Sequence, residues 1–130
     1  MKKKSKVLLV DDDKVILEMY TNKLKREGLD VLDAMTGPEA LKFIEKEKID
    51  IAVIDIVMPK KSGLWLLKKI KTNSNKDIKK IPVIMLTNLN DSRNRAEAAK
   101  LGCLYYFLKS EYTPAQLADR VKEVLLAVKK

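Results

Sequence analysis

The chain has 130 residues, 27 Lys plus Arg against 18 Asp plus Glu for a net charge of +9, one cysteine and no histidine. The missing histidine excludes a Ser-His-Asp triad, histidine-based zinc or iron sites and a histidine general base, so any chemistry must use carboxylates, lysine, hydroxyls, backbone groups and hard cations. The length suits one domain, expected over residues 1–130 with a core of about 6–128.

The basic start, residues 1–6, leads into an apolar run of only 7–10 before acidic residues intervene. That is too short for the core of a signal sequence or for a membrane span. Cys103 lies in an apolar stretch and reads as a buried small hydrophobe suited to a reducing compartment. A soluble, cytoplasmic protein without membrane contact is the expectation.

Short apolar runs alternate with longer segments of helical spacing. Run 7–10 is followed by a helix over about 14–27, with Ile16, Met19, Tyr20 and Leu24 on one face and Gly28 as its stop. Run 29–32 precedes a second helix that opens on Thr36-Gly37-Pro38-Glu39, a capping box with proline in its first turn. Run 49–54 leads to a third helix from about Gly63, which buries Leu66, Leu67 and Ile70 and ends in a polar loop over 72–77.

Run 81–86 is followed by a polar, alanine-rich fourth helix over about 91–101, whose thin apolar face predicts the weakest docking of the five. Run 104–108 precedes a last helix capped by Thr113 with Pro114 at its first position and a stripe of Leu117, Val121, Val124, Leu125 and Val128. The first, third and fourth runs are apolar on both faces, as central parallel strands covered by helices are. Five βα units predict an α/β fold, doubly wound, with a parallel five-stranded sheet in a three-layer sandwich.

In such sheets functional groups gather at the carboxyl ends of the strands. The residues there are Asp11-Asp12-Asp13, Asp55, Thr87 and Lys109. Clustered carboxylates repel unless a cation intervenes, and a hard divalent ion such as Mg2+ prefers oxygen ligands of this kind. A carboxylate beside a lysine and Mg2+ has the parts of a phosphoryl-acceptor site.

With the acidic pair, Asp55-Ile56-Val57-Met58-Pro59-Lys60-Lys61-Ser62-Gly63, Thr87 and Lys109 falling in order at four strand ends, the chain resembles a CheY-like receiver domain of the two-component response regulators. The resemblance spans about residues 6–128 and implies a flavodoxin-like strand order 2-1-3-4-5 and a stand-alone receiver. It implies Asp55 as phosphoacceptor and Mg2+ held by Asp12, Asp55 and the Val57 backbone carbonyl, with Asp11 acting through water. Thr87 and Lys109 complete the site, and Tyr106 falls on the aromatic switch position, turning inward once Thr87 moves.

The implied phosphodonor is a sensor histidine kinase or a histidine phosphotransfer protein, docking near the first helix. The implied output surface, formed by the fourth helix, fifth strand and fifth helix, serves an unidentified output protein or a homodimer formed on phosphorylation. Such a domain is not an enzyme with an external substrate. Val57 and Leu89, both apolar beside the site, predict slow self-dephosphorylation. The chain departs from the family pattern at Ser110, where proline is usual, at Asn88, where a small residue is usual, and at Ser62, where aspartate is common.

One rival reading is a Mg2+-dependent phosphatase of the haloacid-dehalogenase type, since Asp11-Asp12-Asp13-Lys14-Val15 matches its Asp-x-Asp-x-Val motif, with Asp11 and Asp13 as its acids. It lacks a later acidic pair, because only Glu111, Asp119 and Glu123 follow Lys109. Asp13 reads better as a cap of the first helix, and Trp65 as packing at a helix surface. The lysines, spread as Lys60-Lys61, Lys68-Lys69, Lys79-Lys80 and Lys129-Lys130, read as solvated surface, so nucleic acid is not an expected partner.

Overall fold

Five strands, β1 (Lys6–Val10), β2 (Asp30–Ala34), β3 (Ile51–Ile54), β4 (Val83–Thr87) and β5 (Tyr105–Leu108), form one sheet in the order β2-β1-β3-β4-β5. Every pairing is parallel. Six helices connect and cover it: α1 (Lys14–Arg26), α2 (Gly37–Lys46), α3 (Gly63–Lys71), the single turn α4 (Lys76–Lys79), α5 (Ser92–Leu101) and α6 (Pro114–Val128). The computed structural model describes residues 4–128. The first three residues of the basic start, the Lys129-Lys130 pair and the ends of the expected domain lie outside the described residues.

The pleat sorts each central strand between two cores. Val7 and Leu9, Ile51 and Val53, and Ile84 and Leu86 face the layer of α1 and α6. Leu8 and Val10, Ala52 and Ile54, and Val83 and Met85 face the layer of α2, α3 and α5. Each of these side chains is essentially inaccessible to water, and burying one Leu or Ile contributes roughly 1.5–3 kcal/mol. No helix among the described residues is long and apolar enough to cross a membrane.

Several boundaries and faces differ from the expected ones. β2 extends to Ala34 because Asp33 and Ala34 pair with Leu9 and Val10; its exposed acids at 30 and 33 belong to an edge strand that apolar runs cannot reveal. β3 starts at Ile51, its entry fixed by Asp50, whose carboxylate accepts the Lys6 N–H at 2.7 Å. The stripe of α1 is Leu17, Tyr20, Thr21 and Leu24, while Met19 is 48% exposed. Gly28, at φ +86°, supplies the left-handed turn after the helix.

Residues 72–77 are not all loop, because Asn75 accepts the Asp77 N–H at 2.9 Å and starts α4. In α6 the stripe includes Ala118, and Val128 is 59% exposed. Cys103 is only half-buried, against the α2–α3–α5 core; burial pushes its thiol upward, Lys71 acting in the opposite sense.

The caps hold as read. Thr36 accepts the Glu39 N–H at 3.2 Å, although Glu39 reaches back to the Met35 N–H rather than to Thr36 itself. Thr113 and Gln116 form a reciprocal box at 3.2 and 2.9 Å. In α5 only Ala98 is fully buried, which leaves this helix thinly anchored.

Candidate functional site

The strand order reverses at β1, with β2 on one side and β3 on the other, and the crevice beyond their carboxyl ends is where such sheets place function. Asp11 and Asp55 continue the sheet past its assigned ends. The Asp11 N–H donates to Ala34 O at 3.1 Å and the Asp55 N–H to Val10 O at 2.9 Å. Both carboxylates are thereby held on rigid backbone, the two residues being 4% and 6% exposed as a whole. Thr87 ends β4 fully buried, and Lys109 follows β5 in a short 3-10 turn, Lys109–Glu111.

The Lys109 ammonium bridges the two acids, 2.6 Å from Asp11 Oδ2 and 3.0 Å from Asp55 Oδ2. Burial alone would lower the pKa of Lys109, but its hydrogen bonds to Asp11 and Asp55 and their charges prevail and raise it. Asp11 is raised by burial, a rise only partly offset by Lys109 and by the Asp13 N–H, which donates to Asp11 Oδ1 at 2.9 Å. Asp55 Oδ1 has no such partner: it is buried and unpaired. An orphaned carboxylate oxygen normally costs enough to be eliminated, so this one marks a position built to meet something else.

Asp11, exposed Asp12 and Asp55 each place a carboxylate oxygen within 4.8 Å of the others. Three carboxylates against one ammonium leave a net negative cluster of hard oxygen donors, which suits a divalent cation such as Mg2+. The acids open onto a cavity of about 320 Å³ lined also by Asp13, Ile16, Val57, Thr87, Asn88, Leu89 and Lys109. Val57 sits at its rim, 57% exposed. Larger hollows of about 490 Å³ lie beside α6 and between α2 and α4, and neither gathers these groups.

Gly63 fixes the far wall. A Cβ there would stand 1.9 Å from the Asp55 carbonyl oxygen, so only glycine lets α3 begin against the Asp55 backbone. Its N–H donates to Ile56 O at 2.9 Å, and Ser62 caps the helix by accepting the Trp65 N–H at 3.3 Å. Ser62 therefore has a capping role in place of the aspartate common there.

Tyr106 does not line the cavity but is wired to it. Thr87 Oγ1 accepts the Leu89 N–H at 3.3 Å, and the Tyr106 hydroxyl donates to Leu89 O at 2.6 Å. Tyr106 is thus hydrogen-bonded to the loop that follows Thr87. Arg95 of α5 covers the Tyr106 ring at 4.6 Å, a contact that no sequence signal marked on so polar a helix.

The family described as response regulator receiver domain matches residues 7–122. The chain belongs to that family. A receiver domain from Methanospirillum hungatei JF-1 superposes with a TM-score of 0.86 at 31% identity, covering 95% of this chain and 94% of that one. The receiver domain of the Francisella response regulator 1452 gives 0.83 at 35%, covering 97% and 99%. The alkaline phosphatase synthesis transcriptional regulatory protein PhoP of Bacillus subtilis (strain 168) is 33% identical over 92% of this chain and 48% of its own length. The probable transcriptional regulator ycf27 of Porphyridium aerugineum is 33% identical over 98% and 50%. The chain spans about half the length of the curated relatives it matches.

As a receiver domain of the two-component response regulators, the chain has the CheY-like, flavodoxin-type fold with sheet order 2-1-3-4-5. The phosphatase alternative loses its second acid here. Asp13 Oδ1 accepts the Val15 and Ile16 N–H groups at 3.1 and 3.2 Å as the cap of α1. Glu111 lies in the 3-10 turn, and Asp119 and Glu123 lie on α6. Ser110 in place of the usual proline does not keep Lys109 from reaching both carboxylates.

Proposed function

We propose that residues 6–128 act as one phosphoacceptor receiver, and that Asp55 takes a phosphoryl group from the phosphohistidine of a sensor histidine kinase or a phosphotransfer protein. The observation that carries this reading is the unequal state of the two Asp55 oxygens. Oδ2 is held by Lys109 at 3.0 Å, while Oδ1 is buried without a partner. The carboxylate is oriented through one oxygen, and the lone pairs of the other remain unengaged for attack.

In the proposed transfer an O–P bond forms at Asp55 Oδ1 as the donor's P–N bond breaks, and the departing electron pair returns to the imidazole. Asp11, Asp12 and Asp55, with the Val57 carbonyl, would hold Mg2+, which when bound neutralises charge on the phosphoryl oxygens. Lys109 pairs with one phosphoryl oxygen, and the Thr87 hydroxyl hydrogen-bonds another. Moving Thr87 removes the acceptor of the Leu89 N–H, and Leu89 carries the acceptor of Tyr106. The displacement reaches Arg95 and the thinly anchored α5, so the α5–β5–α6 face becomes the surface read by an output partner or a second copy. The phosphoryl group arrives and leaves on the same aspartate, and no external substrate is turned over.

Incubation with a small phosphodonor and Mg2+, followed by intact mass, tests this. The wild type gains one phosphoryl group and Asp55→Asn none. Label retained in Asp55→Asn, or mapped to Asp11 or Asp13, overturns the assignment.

A further inference from the structure

The lysine pairs that read as spread along the sequence are in large part concentrated in one connection, against the expectation of a merely solvated surface. Residues 60–80 hold eight lysines and a single acid, Asp77, a local charge of +7 within the chain's +9. Folding strings them along α3, from the loop that enters it to the α4 turn that follows it. Lys60 and Lys61 lie in the loop entering α3, while Lys68 and Lys69 lie on the exposed side of α3 opposite buried Leu66, Leu67 and Ile70. Lys76, Lys79 and Lys80 are exposed at α4, which is tied to α3 by Lys71, whose ammonium donates to Lys79 O and Ile81 O at 3.3 and 2.7 Å. The Trp65 ring holds Lys61 of the entry loop at 5.9 Å and Lys69 of the helix at 5.7 Å from its centre, so lysines before and after it flank the same ring.

We infer that the α3–α4 ridge is a docking surface for the phosphate backbone of double-stranded DNA, independent of phosphoryl transfer at Asp55. Every cation of the face is lysine, and lysine is depleted from protein–protein interfaces, which rely on aromatic, Met and Arg anchors. None of the exposed large apolar side chains of the described residues falls within 60–80, so the ridge also lacks the group that would insert into a lipid surface. Single strands call for open aromatic stacking platforms, whereas Trp65 is half-buried and flanked by two ammonium groups. A duplex backbone needs none of these, because affinity there comes from neutralised phosphates and released counterions.

The test is fluorescence anisotropy of the full chain on a short mixed-sequence DNA duplex across a salt series. If four lysines meet phosphates, the affinity falls with a log–log slope of about −3.6, roughly twelve-fold for each doubling of salt. A variant with Lys68, Lys69, Lys76 and Lys80 all changed to Gln should lose most of that slope. A charge-matched variant with Lys25, Arg26, Lys42 and Lys100 changed to Gln should keep it, and Asp55→Asn should bind as the wild type does. Equal losses in both variants would mean a diffuse charge effect and overturn the inference. So would stronger binding to anionic vesicles, to polyglutamate or to single-stranded DNA than to the duplex.

Discussion

Replacing Lys109 with Met keeps the volume of the side chain while removing the charge shared by Asp11 and Asp55. The Lys109 side chain is 10% exposed and the side chains of Asp11 and Asp55 6% and 7%, so solvent screens the bridge little. At an effective dielectric of about 20, each contact is worth on the order of 6 kcal/mol in Coulomb energy, most of it cancelled by desolvation. Leaving two buried carboxylates unpaired should cost about 3–5 kcal/mol. In urea unfolding followed by Trp65 fluorescence, that is a midpoint shift of roughly 2 M at a slope of about 2 kcal/mol/M.

The deficit should also depend on pH. In the wild type the raised Lys109 contributes stability that is complete below 10.5 and lost as pH climbs through its folded value. In the variant, burial without the opposing Lys109 charge holds the folded Asp11 carboxyl further above its unfolded range, so its penalty disappears as acidification protonates it. The difference between the proteins is therefore largest from neutral to mildly alkaline pH and shrinks at both ends. A loss below about 1 kcal/mol, unchanged across pH, would refute the reasoning, since that is how a solvated surface pair behaves.

Gly63→Ala puts a methyl 1.9 Å from the Asp55 carbonyl oxygen; overpacking against backbone should cost at least about 1–3 kcal/mol in urea unfolding and displace Asp55, and a neutral result with normal phosphoryl uptake would show that the wall yields. Mg2+ at a hundred times its dissociation constant should stabilise the folded protein by about 2.7 kcal/mol, read as a rise in melting temperature that Asp12→Asn reduces; no rise at any concentration would remove the metal from the site. Changing Val57 and Leu89 together to polar residues should speed loss of label from Asp55, since both line the cavity through which water would approach; an unchanged half-life of the label would separate those side chains from hydrolysis.

The central strands were legible because both their faces are buried, and a run such as Ile51-Ala52-Val53-Ile54 admits little else. The edges were not. β2 carries Asp30 and Asp33 toward solvent and β5 exposes Tyr105, so their apolar content understates their pairing. Capping chemistry placed Asp13, Thr36 and Thr113 to the residue, since a cap is a local bond between neighbours in sequence, whereas the cap at Ser62 emerged only in the fold. Met19 and Val128 failed as core residues because helical spacing defines a face without saying where the opposing layer ends.

The site divides along the same line. Which residues stand at the strand ends follows from local patterning, and Asp11, Asp55, Thr87 and Lys109 do converge. How they share their hydrogen bonds is a property of the convergence itself. Lys109 could not be seen in sequence to hold Asp55 by one oxygen only, nor Gly63 to press so closely that the Asp55 backbone has no freedom to turn. Together these two constraints leave Oδ1 unpaired in a buried position. A carboxylate free to rotate would relieve that cost by presenting both oxygens to Lys109 or to water, and it would lose its preorganisation in doing so. Glycine at 63 and lysine at 109 therefore restrain the same residue, one at the Asp55 backbone carbonyl and the other at Oδ2, and a double substitution at the two positions should be non-additive, because each removes a restraint that only matters while the other is present.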